Sequence, residues 1–120
     1  MAIPILRCSD VDRAIAFYVG TIGASVAWRE GPYAAVRWRS SEIHLSSNSG
    51  DGVFGSAVYF RVDDVDAVFA DLRSRGWTPR TDRGPVFESP TDQTWGMREL
   101  YLLDPDGNCL RFGSPISRVL

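Results

Sequence analysis

Apolar residues at Val11, Ala14, Ile15, Tyr18 and Ile22 fall three and four residues apart (11 to 14 and 15, 14 and 15 to 18, 18 to 22), the period of one face of an α-helix. Gly23 follows, where a helix C-terminus favours a residue that accepts positive φ. Ser9 stands ready as an N-cap, with Asp12 at the position of a capping box, and acids there favour the positive end of the helix dipole. Ala2 to Arg7 is a short apolar run that reads as a strand before this helix. Three strand-like runs come after it: Ala24 to Glu30, Tyr33 to Arg39 beyond a Gly31-Pro32 turn, and Glu42 to Ser46. Because side chains alternate across a strand, Tyr33, Ala35 and Arg37 share one face and Ala34, Val36 and Trp38 the other. Glu42, His44 and Ser46 likewise group together, apart from Ile43 and Leu45.

The second half of the chain restarts the pattern. Leu6 to Asp12 and Phe60 to Asp66 match at an offset of 54, sharing Arg, Asp, Val and Asp. A second apolar helix face then runs through Val65, Val68, Phe69 and Leu72, and Gly76 closes it. Ahead of this helix, Ala57, Tyr59 and Arg61 share one strand face, leaving Val58 and Phe60 for the helix side. Further strands are expected over about Thr78 to Phe87, Glu99 to Leu103 and Cys109 to Phe112, with a polar loop from Glu88 to Trp95. The last two strands enclose Asp104-Pro105-Asp106-Gly107-Asn108, where Pro presets φ, Asp and Asn bond their own backbone, and Gly permits positive φ. Each half thus reads strand, helix, then three strands. A repeat fixes architecture before any motif does. The expected organisation is a single α+β domain: module one at about 1–47, a linker at about 47–54, module two at about 55–113 and a C-terminal tail at 114–120.

Composition narrows the function classes. A chain of 120 residues with 44% hydrophobic content can bury a self-sufficient core. A net charge of -2 argues against general binding of nucleic acid, which requires a basic excess gathered on one face. No apolar run approaches the length of a membrane span, and the N-terminus lacks a basic segment ahead of an apolar stretch, so a cytoplasmic location is expected. Cys8 and Cys109 show no metal or redox spacing. The chain carries no nucleophile elbow, phosphate loop or dinucleotide fingerprint, and the acids Asp10, Asp12, Asp63 and Asp64 sit at helix starts, where capping accounts for them.

Trp95-Gly96-Met97-Arg98-Glu99, followed by Asp104-Pro105-Asp106-Gly107-Asn108, resembles the vicinal oxygen chelate superfamily, and within it the bleomycin-resistance proteins. The helix starts at Asp10-Val11 and Asp64-Val65 fit as well, so the resemblance covers nearly the whole chain. It implies two βαβββ modules forming a curved mixed sheet with a concave groove, in a homodimer whose N-terminal strand is exchanged between subunits. Enzymes of the superfamily hold a divalent metal at four strand positions, which here correspond to Ile3, His44, Ala57 and Arg111. Only His44 has a donor atom suited to a metal; Ile3 and Ala57 have none, and Arg111 is a permanent cation. The expectation is therefore a protein without cofactor or catalysis.

Binding-only relatives of this kind sequester the drug at the subunit interface, its flat ring system held between two aromatic side chains. Trp95 matches the tryptophan of that sandwich and Tyr33 its aromatic partner. Tyr59, His44, Ser46 and Arg111 are the other candidate ligand contacts, and Glu88, Asp92, Asp51 and Glu42 are candidate partners for a cationic group. His44 equally suits a half-buried strand histidine bonded to a neighbour, and Tyr33 a strand residue at a dimer seam. Trp28, Trp38 and Trp77 read as packing residues. The implied function is sequestration of bleomycin or another aromatic antibiotic without chemical change, and the alternative is a metal-dependent glyoxalase-like or dioxygenase-like enzyme.

Overall fold

The structure, a computed structural model, describes residues 1–80 and 88–116. The described elements are β1 (Ile5–Arg7), α1 (Val11–Phe17) running into a π-helical turn (Tyr18–Ile22), β2 (Ser25–Glu30), β3 (Tyr33–Trp38) and β4 (Ser41–Ser46). After these come β5 (Ala57–Arg61), α2 (Val65–Ser74), β6 (Thr91–Asp92), β7 (Met97–Leu103) and β8 (Cys109–Pro115). They form two four-stranded sheets with strand orders β1-β4-β3-β2 and β5-β8-β7-β6. The internal repeat legible in the sequence is thus repeated strand for strand in the topology, as expected for two βαβββ modules. Two compact units result: Met1–Ser56 with Leu103–Cys109, and Ala57–Leu102 with the chain from Leu110 onward.

In the first unit β1 runs parallel to β4, with Ile5 opposite His44, and β3 is antiparallel to both β4 and β2. Leu6, Ala14, Tyr18, Val36, Ile43 and Leu45 are buried at 1% exposure or less. Each large apolar side chain sealed in this way is worth about 1.5–3 kcal/mol. The helix begins one residue later than the sequence suggests. Asp10, not Ser9, caps it, accepting from the backbone N–H of Asp12 at 2.9 Å and of Arg13 at 3.4 Å. Ser9 instead donates its backbone N–H and its hydroxyl to Asp106 Oδ1, at 3.0 and 2.9 Å. Asp64 caps α2 in the same manner through Asp66 and Ala67, so the two helix starts are equivalent.

That partnership of Ser9 belongs to a wider network in which the Leu103–Cys109 turn joins the first unit. Asp104 Oδ1 accepts from the N–H of Asp106 and of Asn108, while Oδ2 accepts from the buried Tyr18 hydroxyl at 2.7 Å and from Asn108 Nδ2 at 2.9 Å. Asn108 Nδ2 also donates to the Arg7 carbonyl, and its Oδ1 accepts the Ser56 N–H, both at 3.0 Å. Burial first, and then the Asp104 carboxylate, hold the Tyr18 phenol protonated well above its ordinary range.

In the second unit Val65, Val68 and Leu72 of α2 are buried along with Leu100, Leu102 and Leu110, and the rings of Phe60 and Phe112 stack with centroids 5.1 Å apart. The strand expected over Thr78 to Phe87 is not found at Thr78–Arg80, and residues 81–87 lie outside the described residues. The edge strand β6 is instead the pair Thr91–Asp92, inside the stretch that reads as a polar loop, with Thr91 opposite Glu99 of β7.

Candidate functional site

Each unit carries an aromatic and polar cluster on its sheet. In the first, strand pairing places Trp28 and His44 on either side of Ala35, on β2, β4 and β3 respectively. The small Ala35 is fully buried beneath this rung. The Tyr33 ring stacks on Trp28 with centroids 5.6 Å apart and planes inclined by 10°, and His44 meets both rings edge-on, at 5.2 and 5.4 Å. The Tyr33 hydroxyl lies 2.7 Å from His44 Nδ1, and His44 Nε2 lies 2.9 Å from Glu42 Oε2. A phenol donating to Nδ1 leaves Nε2 to carry the proton given to Glu42, so one tautomer satisfies the whole chain. Hydrogen bonds from His44 and then Arg37 hold the Glu42 carboxyl below its usual range. Burial, followed by the charge of Asp51, raises the Tyr33 phenol. Ser46 is fully buried; its hydroxyl donates to Asp51 Oδ2 at 2.7 Å and accepts the Asn48 N–H, holding the loop after β4.

In the second unit the cluster is built around Glu99, a carboxylate only 2% exposed. Its Oε1 accepts from the Tyr101 hydroxyl at 2.5 Å, and its Oε2 from the Tyr59 hydroxyl at 2.5 Å and from the Trp95 indole N–H at 3.2 Å. Burial raises the acid, but hydrogen bonds from Tyr101, Tyr59 and Trp95 and the positive charge of Arg111 outweigh it, leaving Glu99 below its ordinary value and ionised. Tyr59 is the converse case: burial and the Glu99 carboxylate push its phenol up to about 12. The Arg111 guanidinium sits 4.6 Å from the centre of the Tyr101 ring, a cation–π contact. Trp95 precedes Gly96, whose φ is 86°, in the turn that leads into β7, and it is 61% exposed.

The six expected contacts therefore fall into two groups. Tyr33 and His44 share one cluster, with the fully buried Ser46 opposite Tyr33, while Trp95, Tyr59 and Arg111 gather around Glu99. Two participants were not anticipated as such. Trp28, read from the sequence as a packing residue, is 42% exposed and forms the outer layer over Tyr33. Glu99 organises the second cluster. Trp38, by contrast, is packed as expected, at 7% exposure, and Trp77 meets Phe69 edge-on at 6.2 Å. The acids proposed for a cationic group are engaged: Glu88 is buried and accepts the Arg80 N–H, Asp92 pairs with Arg98, Asp51 holds Ser46, and Glu42 bonds Arg37 and His44.

The metal positions of the superfamily can be checked by register. His44 N–H bonds the Pro4 carbonyl and Cys8 N–H the Ser46 carbonyl, and in the second unit Val62 N–H bonds the Gly113 carbonyl. Cys8 corresponds to Val62 in the repeat, so Ser46 corresponds to Gly113 and His44 to Arg111. The donor set Ile3, His44, Ala57 and Arg111 does not fit a metal: a single imidazole is present, both of its nitrogens are already hydrogen-bonded, and its counterpart is a cation. Among the described residues, no group of three or more His, Cys, Asp and Glu side chains comes together in a way that could hold a metal ion.

Comparison with known proteins fits this geometry. Residues 2–112 match the family model of the Glyoxalase/Bleomycin resistance protein/Dioxygenase superfamily. A bleomycin resistance protein of Geobacillus stearothermophilus is 25% identical over 130 residues, covering 92% of this chain and 93% of that one. Among solved structures, a bleomycin resistance determinant encoded on the transposon Tn5 superposes with a TM-score of 0.82 at 24% identity, covering 98% of each chain. A bleomycin-binding protein complexed with bleomycin gives a TM-score of 0.81 at 24% identity, covering 95% of this chain and 97% of that one.

Proposed function

We propose that this chain, which belongs to the Glyoxalase/Bleomycin resistance protein/Dioxygenase superfamily, binds and sequesters bleomycin or a similar aromatic antibiotic without altering it chemically. The observation that carries this reading is Trp95: a tryptophan 61% exposed in a short turn, yet tied through its indole N–H to a buried carboxylate. Large apolar rings are costly to hold at a surface unless they cover something, and an offset stack on a flat ligand adds about 0.5–1.5 kcal/mol beyond the area it buries. Trp28 with Tyr33 presents a second stacking surface, and His44, Tyr59 and Arg111 are the neighbouring contacts. Ser46, fully buried opposite Tyr33, acts by holding Asp51 and the loop after β4. The relatives named as bleomycin resistance proteins, and the similar fold solved with bleomycin, support the choice of ligand. Binding alone suffices for resistance where the free drug does the damage.

The misfit of the metal positions supports a binding protein over an enzyme, although the superfamily also contains enzymes. The protein is further proposed to act in the cytoplasm as a homodimer with exchanged N-terminal strands, organised as one domain of two modules. Titrating bleomycin against tryptophan fluorescence tests the central claim. Saturable binding is expected, with drug recovered unchanged and no stoichiometric divalent metal in the purified protein. Trp95→Ala should weaken binding by about 1–3 kcal/mol while leaving the fold intact. An unchanged signal at micromolar drug, or about one tightly held divalent ion per chain, would sink the reading.

A further inference from the structure

We infer that Glu99 is a positioning residue for Trp95, holding the plane of the exposed indole that meets the ligand. The inference rests on the proposed binding function for its ligand but not for its geometry. An indole in a turn ordinarily moves among several rotamers, and ordering it on binding would subtract from affinity. Here the N–H end of the ring is fastened to Glu99 Oε2 while the residue remains 61% exposed.

The anchor is itself immobilised from several directions. Tyr101 donates to Oε1 from β7, and Tyr59 reaches Oε2 from β5. Tyr59 crosses over β8 to do so, at Gly113: a Cβ at that position would stand 1.9 Å from the phenol oxygen and 2.6 Å from Cζ. The glycine is needed here for space. Three donors thus converge on one buried carboxylate that remains ionised and has no proton of its own to give. Charge-assisted bonds to a fixed acceptor are stronger and more directional than neutral ones. The arrangement accordingly sets the indole before the ligand arrives.

The test uses the full-length protein. Hydrogen exchange of the indole N–H groups is followed by NMR, the Trp95 signal being assigned by its loss in Trp95→Phe. In the ligand-free wild type this proton should exchange at least about tenfold more slowly than an unbonded indole, despite its exposure, and in Glu99→Met it should exchange freely. Glu99→Met should also weaken bleomycin binding about tenfold, yet by less than about twofold in a Trp95→Ala background, because the effect passes through the indole. A merely structural role would cost affinity equally in both backgrounds and would overturn the inference, as would free exchange in the wild type. Exchange in the wild type decides even where Glu99→Met fails to fold. Should the wild type bind no bleomycin, the proposed function fails while the exchange measurement still judges the positioning role.

Discussion

At the scale of single residues, the sequence reveals side-chain chemistry more readily than partnership. Trp95 is conspicuous because it precedes a glycine in a polar stretch, and with Tyr33 it is singled out by the resemblance; strand parity sets Tyr33 beside Ala35 and His44 beside Ser46, and the β3–β4 register then brings Tyr33 and His44 together. Trp28 escapes that logic for a definite reason. Val26 pairs with Val36 and Trp28 with Ala35, so β2 carries one extra residue between these pairs and its alternation is reset. Counting by twos from Val26 sends Trp28 to the helix side; the bulge returns it to the face of Tyr33 and His44. Glu99 is hidden for another reason, since its donors come from positions 59, 95 and 101, and nothing in the sequence announces that β5, β7 and the turn before β7 will converge there. The corrected position of Trp28 carries its own prediction. As the outer ring of its cluster, it should contribute to drug binding much as Trp95 does, so Trp28→Ala is expected to cost about 1–3 kcal/mol of affinity by fluorescence or calorimetric titration. Unchanged affinity would return Trp28 to a packing role.

At the scale of elements, helices and hairpins were legible because each is set by local rules: a period of three and four residues, a capping acid, a turn with Pro and Gly. What could not be read was the work of the Asp104–Asn108 turn beyond reversing the chain. Its side chains satisfy the Tyr18 hydroxyl, the Arg7 carbonyl, the Ser56 N–H and Ser9, all distant in sequence. Sequence reasoning stopped at the turn's own backbone, where Asp104 also accepts two N–H groups. Removing the carboxylate by Asp104→Ala leaves a buried phenol and two turn amides without their acceptor. At about 1–3 kcal/mol for a buried unsatisfied group, the expected loss of stability is about 3 kcal/mol in urea denaturation. Tyr18→Phe, which removes one donor and leaves the others in place, should cost only about 1 kcal/mol. Equal losses in the two variants would show that the Tyr18 bond dominates the network; a loss below about 1 kcal/mol for Asp104→Ala would show that the turn does not brace the unit.

For the molecule as a whole, duplication is the feature most plainly written in the sequence, and each copy builds a sheet of the same strand order. The compact units do not coincide with the two halves of the repeat. The first compact unit includes Leu103–Cys109, which runs from the last residue of β7 to the first of β8, so the first unit is completed only after nearly the entire chain has been made. A fragment ending at Ser56 would retain Tyr18, Arg7 and Ser9 but lose Asp104, Asp106 and Asn108, their partners. Several orphaned groups at about 1–3 kcal/mol each are comparable with the 5–15 kcal/mol that stabilises a whole domain. The fragment comprising residues 1–56 is therefore expected to lack a cooperative melt, and the full chain at fixed protein concentration to unfold in one transition whose calorimetric and van't Hoff enthalpies agree. A fragment that melts cooperatively alone, or two resolved transitions in the full chain, would mean that the first unit does not depend on the turn, and that the repeat still behaves as two independent modules.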